Sequence, residues 1–277
     1  VKGKGLVVRE PSFVSVNMKQ DTVIAVGNAS KEMLGRAPES ITTIKPIKDG
    51  VIGDFDAACH MLRAFIKQAM GQSYFGRPLV KLSLPLGITE VEEMALKEVA
   101  EAAGGKKPEL IPAIAAAAIG ANLPFNSPKG VMIVDIGGGT CEVAVLSMGG
   151  VVVSKLLRTA GNSIDETIIP YIKKEYGMLI GDRTAEEIKI TIGSAIPKAQ
   201  DEYMEIKGRD LHTGLPKNIR ISSTEICDAI RDPVNAIVTA IKTVLEETPP
   251  ELLADIIDEG ITLTGAGALL GGLDKLI

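Results

Sequence analysis

Val131-Met132-Ile133-Val134-Asp135-Ile136-Gly137-Gly138-Gly139-Thr140-Cys141-Glu142-Val143-Ala144-Val145-Leu146 is the stretch on which the reading of this chain turns. Two apolar, strand-like runs flank three consecutive glycines. Glycine has no Cβ, so the backbone can turn sharply there and bring bare N–H groups against a ligand. Phosphate oxygens suit such a nest. Asp135 ends the first run, where a carboxylate can hold Mg²⁺ through water. Thr140 adds a hydroxyl donor. A glycine-rich hairpin beside a surface Asp is the competing reading, and the stretch alone does not choose between them.

Working outward, Gly149-Gly150 turns the chain into a third strand, Val151-Val152-Val153, and a helix is expected over Ser163 to Tyr176. Thr184-Ala185-Glu186-Glu187 has the form of a capping box, opening a helix through Ile188, Ile192 and Ala195. Residues 198 to 223 are polar and read as a small appended β region. Thr224 to Glu247 reads as one long helix with a kink expected at Pro233. Ile261-Thr262-Leu263-Thr264 is a strand, and Gly265-Ala266-Gly267-Ala268 turns it into a helix.

Upstream, Leu6-Val7-Val8, Phe13 to Val16 and Val23 to Val26 read as short strands separated by Pro11 and by Lys19-Gln20-Asp21. Asp54 is an N-cap candidate. Phe55, Ala58, Leu62, Phe65, Ile66 and Ala69 follow at helical spacing, and Gly71 stops the helix. Leu79 to Leu84 is a strand, and Thr89-Glu90-Val91-Glu92 is a capping box for a helix reaching Gly104-Gly105. Ile114 to Ile119 reads as a buried Ala-rich helix. Strands followed by a capped helix occur twice, which is the pattern of a duplicated α/β fold.

A chain of 277 residues, 45% apolar, can bury one large core or two linked ones. Its net charge of −5 argues against a nucleic-acid partner. Cys59, Cys141 and Cys227 lie far apart and read as reduced thiols of a cytosolic protein. His60 and His212 are too isolated for a metal site. No apolar run reaches transmembrane length and no signal peptide opens the chain. Val1 begins mid-pattern, as a fragment would.

Two further segments join the glycine turn. Glu186 and Lys189, at i and i+3, can accept from and donate to ribose hydroxyls and an adenine edge; an ordinary surface ion pair is the plain alternative. The small residues Gly265 to Ala268 let backbone approach a flat base or an α-phosphate at a helix N-terminus. The arrangement is neither a Rossmann fingerprint, since no helix follows the first glycine turn, nor a Walker loop, since no G-K-[ST] occurs.

Read in order, DIGGGT with Glu142-Val143, Ala160-Gly161-Asn162, TAEEIK at 184–189 and LTGAGALL at 263–270 resemble the actin/Hsp70/sugar-kinase ATPases. EPSFVSV, AVGNASKEMLGRAPESI, PIKDGVIGDFD and PPELLADI, outside that constellation, are similar to the MreB family of bacterial actins. The resemblance covers the whole chain. It implies an α/β actin-like ATPase fold: two ribonuclease H-like domains with smaller subdomains and an ATP–Mg²⁺ cleft between them. The first domain would be residues 1–122, lacking its first strands and phosphate loop. The second would be 123–277, with a subdomain inserted at about 164–223. Asp135 would position Mg²⁺ through water, and Thr140 would help orient the attacking water. Gly137, Gly138, Gly139 and Thr140 would hold the β- and γ-phosphates, with Gly161 and Asn162 approaching from the next turn. Glu186, Glu187 and Lys189 would contact adenosine, with Gly265, Ala266, Gly267, Ala268 and Leu269 beneath it.

The implied role is an ATP-binding filament of paired, head-to-tail protofilaments. It would lie in the cytoplasm against the inner face of the bacterial cell membrane, guide the cell-wall elongation machinery and keep rod shape. A non-polymerising phosphotransferase of the sugar-kinase type would need a substrate-binding carboxylate that the chain does not offer. An Hsp70-type peptide binder would need a substrate-binding domain.

The chain departs from the family pattern in three places. It starts after the D-x-G-T-A-N phosphate loop, and it ends before the segment that returns to the first domain. The family's catalytic Glu, in E-E-P-M-A-A-A-I-G, falls on Ala113 of Leu110-Ile111-Pro112-Ala113-Ile114-Ala115-Ala116-Ala117-Ala118-Ile119-Gly120. Glu109 lies four residues upstream and would serve only if the helix start were rebuilt. Slow or absent hydrolysis with retained nucleotide contacts is therefore expected. Finally, Tyr74 and Phe75 sit in a turn with Lys67, Arg77 and Lys81 around them. The family binds the membrane through a hydrophobic loop at this place; packing of the two rings back onto the preceding helix is the alternative.

Overall fold

Valines and a buried hydroxyl organise the first sheet in the computed structural model, which describes residues 1–71 and 76–277. Those residues fall into two units, Val1–Pro112 and Ala113–Ile277. In the first, β1 (Val14–Asn17) lies between β2 (Thr22–Val26) and β3 (Ile41–Ile44), antiparallel to both, with α1 (Asn28–Met33) in the connection. Val14 is fully buried against Ala57 and Met61. On the other face Ser15 bonds Ser30 at 2.7 Å and Thr43 at 2.9 Å, so its buried hydroxyl is satisfied. β4 (Ile47–Lys48) and β5 (Val51–Ile52) form a hairpin through Asp49-Gly50, both at positive φ (51° and 81°), the dipeptide that such a turn favours.

α2 (Phe55–Met70) is capped as its sequence dictates: the Asp54 carboxylate accepts from Ala57 N–H at 2.9 Å, and Gly71 at φ 84° ends it. β6 (Leu79–Leu84), α3 (Glu90–Ala102) and β7 (Lys106–Pro112) form a βαβ unit with the two strands parallel, and α3 opens on a complete Thr89–Glu92 capping box. α3 has no basic residue in its last turn. Its terminal carbonyls are met from outside: Arg63 donates to Ala102 O at 2.7 Å, and Arg77 to Gly105 O at 2.7 Å and Glu101 O at 3.3 Å.

One expectation for this unit changes, and one strand is added. Leu6-Val7-Val8 is not a strand, and Leu6 is 81% exposed. β-branched residues make a strand only where a ladder partner exists. The sequence does not signal β7, because Lys106-Lys107-Pro108-Glu109 is charged and carries a proline, which is tolerated at a sheet edge.

The second unit begins with α4 (Ala113–Gly120), which packs on β8 (Val131–Ile136) and β9 (Cys141–Ser147). β10 (Gly150–Leu157), α5 (Gly161–Tyr176), β11 (Met178–Leu179), α6 (Asp182–Ile192), β12 (Tyr203–Asp210), β13 (Pro216–Ser222), α7 (Ser223–Ala229), α8 (Arg231–Glu247), α9 (Pro250–Glu259) and β14 (Ile261–Thr264) follow. A 3₁₀ turn, Ala266–Leu269, and α10 (Leu273–Leu276) end the chain. The main sheet has the order β10-β9-β8-β14, antiparallel except for β14, which runs parallel to β8. β8 and β9 are buried apart from a half-exposed Asp135, as continuous apolar runs require. Ile164, Ile168 and Ile172 of α5 and Ile237, Ile241 and Val244 of α8 complete that core. The polar region of 198–223 holds β12 and β13, which with β11 form a second sheet.

The helices differ from expectation in three places. The 224–247 helix is two: the chain breaks at Ile230 (φ −92°, ψ 7°), and Pro233 stands in the first turn of α8, where its missing N–H is not needed. α6 opens at Asp182, so Thr184 is inside the helix and caps nothing. α4 buries only Ile114 and Ala118, while Ile119 is 66% exposed.

Candidate functional site

The β8–β9 turn is closed by Gly137 N–H donating to Thr140 O at 2.8 Å. The N-terminus of α5 docks on it: Gly161 N–H donates to Gly137 O at 3.1 Å and Asn162 N–H to Gly138 O at 2.7 Å. The approach is close: a Cβ on Gly161 would stand 3.2 Å from Gly137 O, so the two backbones would have to separate by a few tenths of an ångström. The positive end of a 16-residue helix therefore abuts a glycine-rich turn, an electrostatic setting suited to phosphate.

β14 brings the third segment. Its register sets Thr264 level with Asp135, so the chain turns at Gly265 directly beside Ile136. Gly265 has φ 83° and ψ 161°; a Cβ would drive into the Ile136 carbonyl and lie 2.7 Å from Asp135 Oδ1. A Cβ on Gly267 would lie 3.0 Å from Ile136 O. Glycine at these positions thus lets two turns touch, besides leaving room for a flat ligand. The 3₁₀ turn that follows leaves Leu269 85% exposed.

Burial raises the Asp135 carboxyl above the usual carboxylate range. Directly across the ladder stands Glu142, 3% exposed, and residues opposite one another on antiparallel strands share a face. The sequence signal for Glu142 is that it is the one charged residue in the run Cys141–Leu146. Burial, together with these two carboxylates, pushes the Cys141 thiol up to about 12. Among the described residues no group of three or more His, Cys, Asp or Glu could hold a metal ion. A half-buried acid with a second acid facing it fits Mg²⁺ held through water and ligand phosphates.

α6 links the turns. Lys189 Nζ lies 2.8 Å from both carboxylate oxygens of Asp165 and donates to Gly161 O at 2.9 Å. At the other end of α6, Ser194 Oγ donates to Gly271 O at 3.1 Å and Ala195 N–H to the same oxygen at 2.7 Å. Lys189, expected to act beside Glu186, is thus held by Asp165 of α5, which lies in none of the quoted motifs. Glu186 is half-buried and Glu187 exposed on the same helix.

The structure therefore brings Asp135, Gly137 to Thr140, Gly161, Asn162 and Gly265 to Leu269 together within one unit. Ala113 is the first residue of α4 and offers only a methyl group. Glu109 lies on strand β7, paired with Lys81 at 2.8 Å, which holds its carboxyl below the usual range. Tyr74 and Phe75 lie outside the described residues. Of the basic residues around them, Arg77 caps α3 and Lys81 holds Glu109. Among the described residues, no helix is long and apolar enough to cross a membrane.

Known proteins resemble the chain along its whole length. The sequence matches the MreB/Mbl protein family over residues 1–277. It is 48% identical to the cell shape-determining protein Mbl of Bacillus cereus over 277 residues, covering all of this chain and 83% of that protein. It is 46% identical to the cell shape-determining protein MreB of Escherichia coli K12 over 282 residues, covering all of this chain and 81% of that protein. Among solved structures, MreB5 of Spiroplasma citri bound to AMPPNP superposes with a TM-score of 0.93 at 39% identity, over all of this chain and 83% of that one. The MamK double helical filament, 20% identical over 96% of this chain and 81% of its own, shares the fold with a TM-score of 0.77. The actin-like fold and the extent of the match lead to one conclusion: the chain belongs to the MreB/Mbl family.

Proposed function

We propose that this chain is an ATP-binding, filament-forming cell-shape protein that guides cell-wall synthesis from the inner face of the bacterial membrane. The observation that carries the reading is the docking of the α5 N-terminus on the Gly137–Thr140 turn, with the Gly265 turn packed against the same strand end. Its relatives are named cell shape-determining proteins, and structures of its MreB5 neighbour are bound to AMPPNP and ADP.

In this reading the backbone amides of Gly138 to Thr140 receive the β- and γ-phosphates, and the positive end of α5, whose first two amides are bonded to the turn, favours their charge. Asp135, faced by Glu142, holds the water shell of Mg²⁺, which when bound supplies neutralising charge to the phosphates. Gly265 to Leu269 underlie the base. Thr140 offers the hydroxyl that orients water, and Ala113 leaves that water without a general base, so turnover is slow. Two copies of a head-to-tail protofilament pair into the filament, and Tyr74 with Phe75 anchor it to the membrane beside the elongation machinery.

Sedimentation with and without Mg-ATP, followed by electron microscopy of the pellet, tests the assignment. Paired filaments are expected with nucleotide. A protein that binds Mg-ATP yet stays monomeric at every concentration would argue for a non-polymerising relative of the fold.

A further inference from the structure

We propose that Tyr176 and Glu225 are positioning residues for the phosphate turn: they fasten the far end of α5 to the second sheet, and through that helix the turn and the β11–β12–β13 sheet are coupled. The proposal rests on the nucleotide-binding reading above and goes beyond it in naming the part of the fold that responds to the ligand.

α5 is held at both ends. Its first two amides bond the glycine turn: Gly161 N–H to Gly137 O at 3.1 Å and Asn162 N–H to Gly138 O at 2.7 Å. The other end lies about 24 Å away, at 1.5 Å per residue over 16 residues, and three elements tie it down. The Tyr176 hydroxyl donates to Glu225 Oε1 of α7. Lys217 of β13 donates to Tyr176 O at 2.8 Å and pairs with Asp210 of β12 at 3.1 Å. Leu211 N–H donates at 2.8 Å to the carbonyl of Gly177, whose φ of 58° ends the helix. Glu225 is itself fixed, because its Oε2 accepts from Ser222 N–H at 2.8 Å, where β13 gives way to α7. The carboxylate that completes the cap of one helix thus holds the last turn of another.

Between its ends α5 can change shape. Pro170 stands inside the helix and has no N–H for the Glu166 carbonyl. Thr167 Oγ1 donates to Ser163 O at 2.7 Å, a back-bond that bends helices. Ile164, Ile168 and Ile172 keep both halves packed on the core, so a tilt of one half is felt by the other. Two arrangements follow: the near half seated on the turn with the Tyr176–Glu225 clasp closed, as here, or the near half tilted away with the clasp released. A ligand that favours the seated half then tightens the clasp, and loss of the clasp weakens the ligand by the same factor.

Hydrogen exchange of the nucleotide-free chain is the first test. Tyr176→Phe removes one hydroxyl and should speed exchange roughly fivefold at Gly161 and Asn162 on the turn, the lower end of ordinary coupling between sites. Gly161→Ala perturbs the opposite end and should speed exchange at Leu211 and Ser222. The Gly130 amide, held by Asp255 at 2.8 Å, should not change in either variant, which separates coupling from general loosening. Equilibrium binding is the second test. Mg-ADP should slow exchange at Leu211 and Ser222 of the parent roughly fivefold, and Tyr176→Phe should weaken Mg-ADP binding by the same factor. Variants felt only at their own end, or Mg-ADP that protects the turn amides and leaves Leu211 and Ser222 unchanged, overturn the assignment. A parent that binds no nucleotide would sink the nucleotide reading, while exchange in the two variants would still decide the coupling.

Discussion

Gly265→Ala puts the packing of the two turns to a quantitative test. Gly265 has φ 83° and ψ 161°, a region that only glycine occupies readily and that costs an L-residue about 1–3 kcal/mol. The new methyl would also enter the space of the Ile136 carbonyl and stand 2.7 Å from Asp135 Oδ1. Ile136 is fully buried at the end of a central strand, so relief requires moving β14 relative to β8, an overpacking cost of about 1–3 kcal/mol. The two effects together give about 4 kcal/mol. Unit 2 spans residues 113–277, a size at which each kcal/mol moves Tm by about 2–4 °C, so its transition should fall by about 8–16 °C. Gly138→Ala is the control: its Cβ would meet Asn162 Oδ1 at 3.5 Å, an ordinary contact, and no left-handed φ is involved. Its cost should stay below about 1 kcal/mol, within the range of unremarkable substitutions. Scanning calorimetry of the two variants beside the parent gives the answer. If Gly265→Ala melts within 3 °C of the parent by that measure, or the two variants fall alike, the close approach described here is not what selects glycine at 265.

Three further outcomes follow from the site. Burial raises the Asp135 carboxyl, so the folded chain keeps that proton to higher pH than the unfolded chain does. The stability it contributes is therefore complete below about pH 4 and is lost as pH rises through the raised value. Asp135→Asn should give a nucleotide-free protein with a higher Tm than the parent at pH 7 and no advantage near pH 3, along with weaker Mg-ATP binding. A lower Tm at pH 7 would contradict the burial argument. Ala113→Glu should speed phosphate release, read with a coupled phosphate assay, and no gain over the parent would remove Ala113 as the cause of slow turnover. Phe75→Ser with Tyr74→Ser should abolish co-sedimentation with anionic liposomes. Because Arg77 and Lys81 are engaged within unit 1, parental binding should persist at high salt, whereas loss of binding on adding salt would show that charge supplies the affinity.

What the sequence disclosed and what it hid divide along the range of the interactions. Asp54 bonding Ala57 and the Thr89–Glu92 box each span three residues, so their residue types announce them. The glycines of 137–139 and 265–267 announced two turns, but not that one presses on the other. That depends on β14 lying in parallel register with a strand 129 positions earlier, Thr264 against Asp135. Leu6-Val7-Val8 failed in the opposite sense: its local preference for a strand is sound, yet no ladder receives it. Lys189 is the sharpest case. Its i,i+3 neighbour Glu186 suggested a pair worth a few tenths of a kcal/mol on an isolated helix. In the folded chain α5 packs on α6 and offers a carboxylate and a carbonyl at 2.8 and 2.9 Å, both shielded from water. A charge that would otherwise be left buried takes the partner that tertiary packing supplies, because leaving it unpaired costs several times more than the local pair could return. Its partner in the fold is Asp165, which lies outside the quoted motifs.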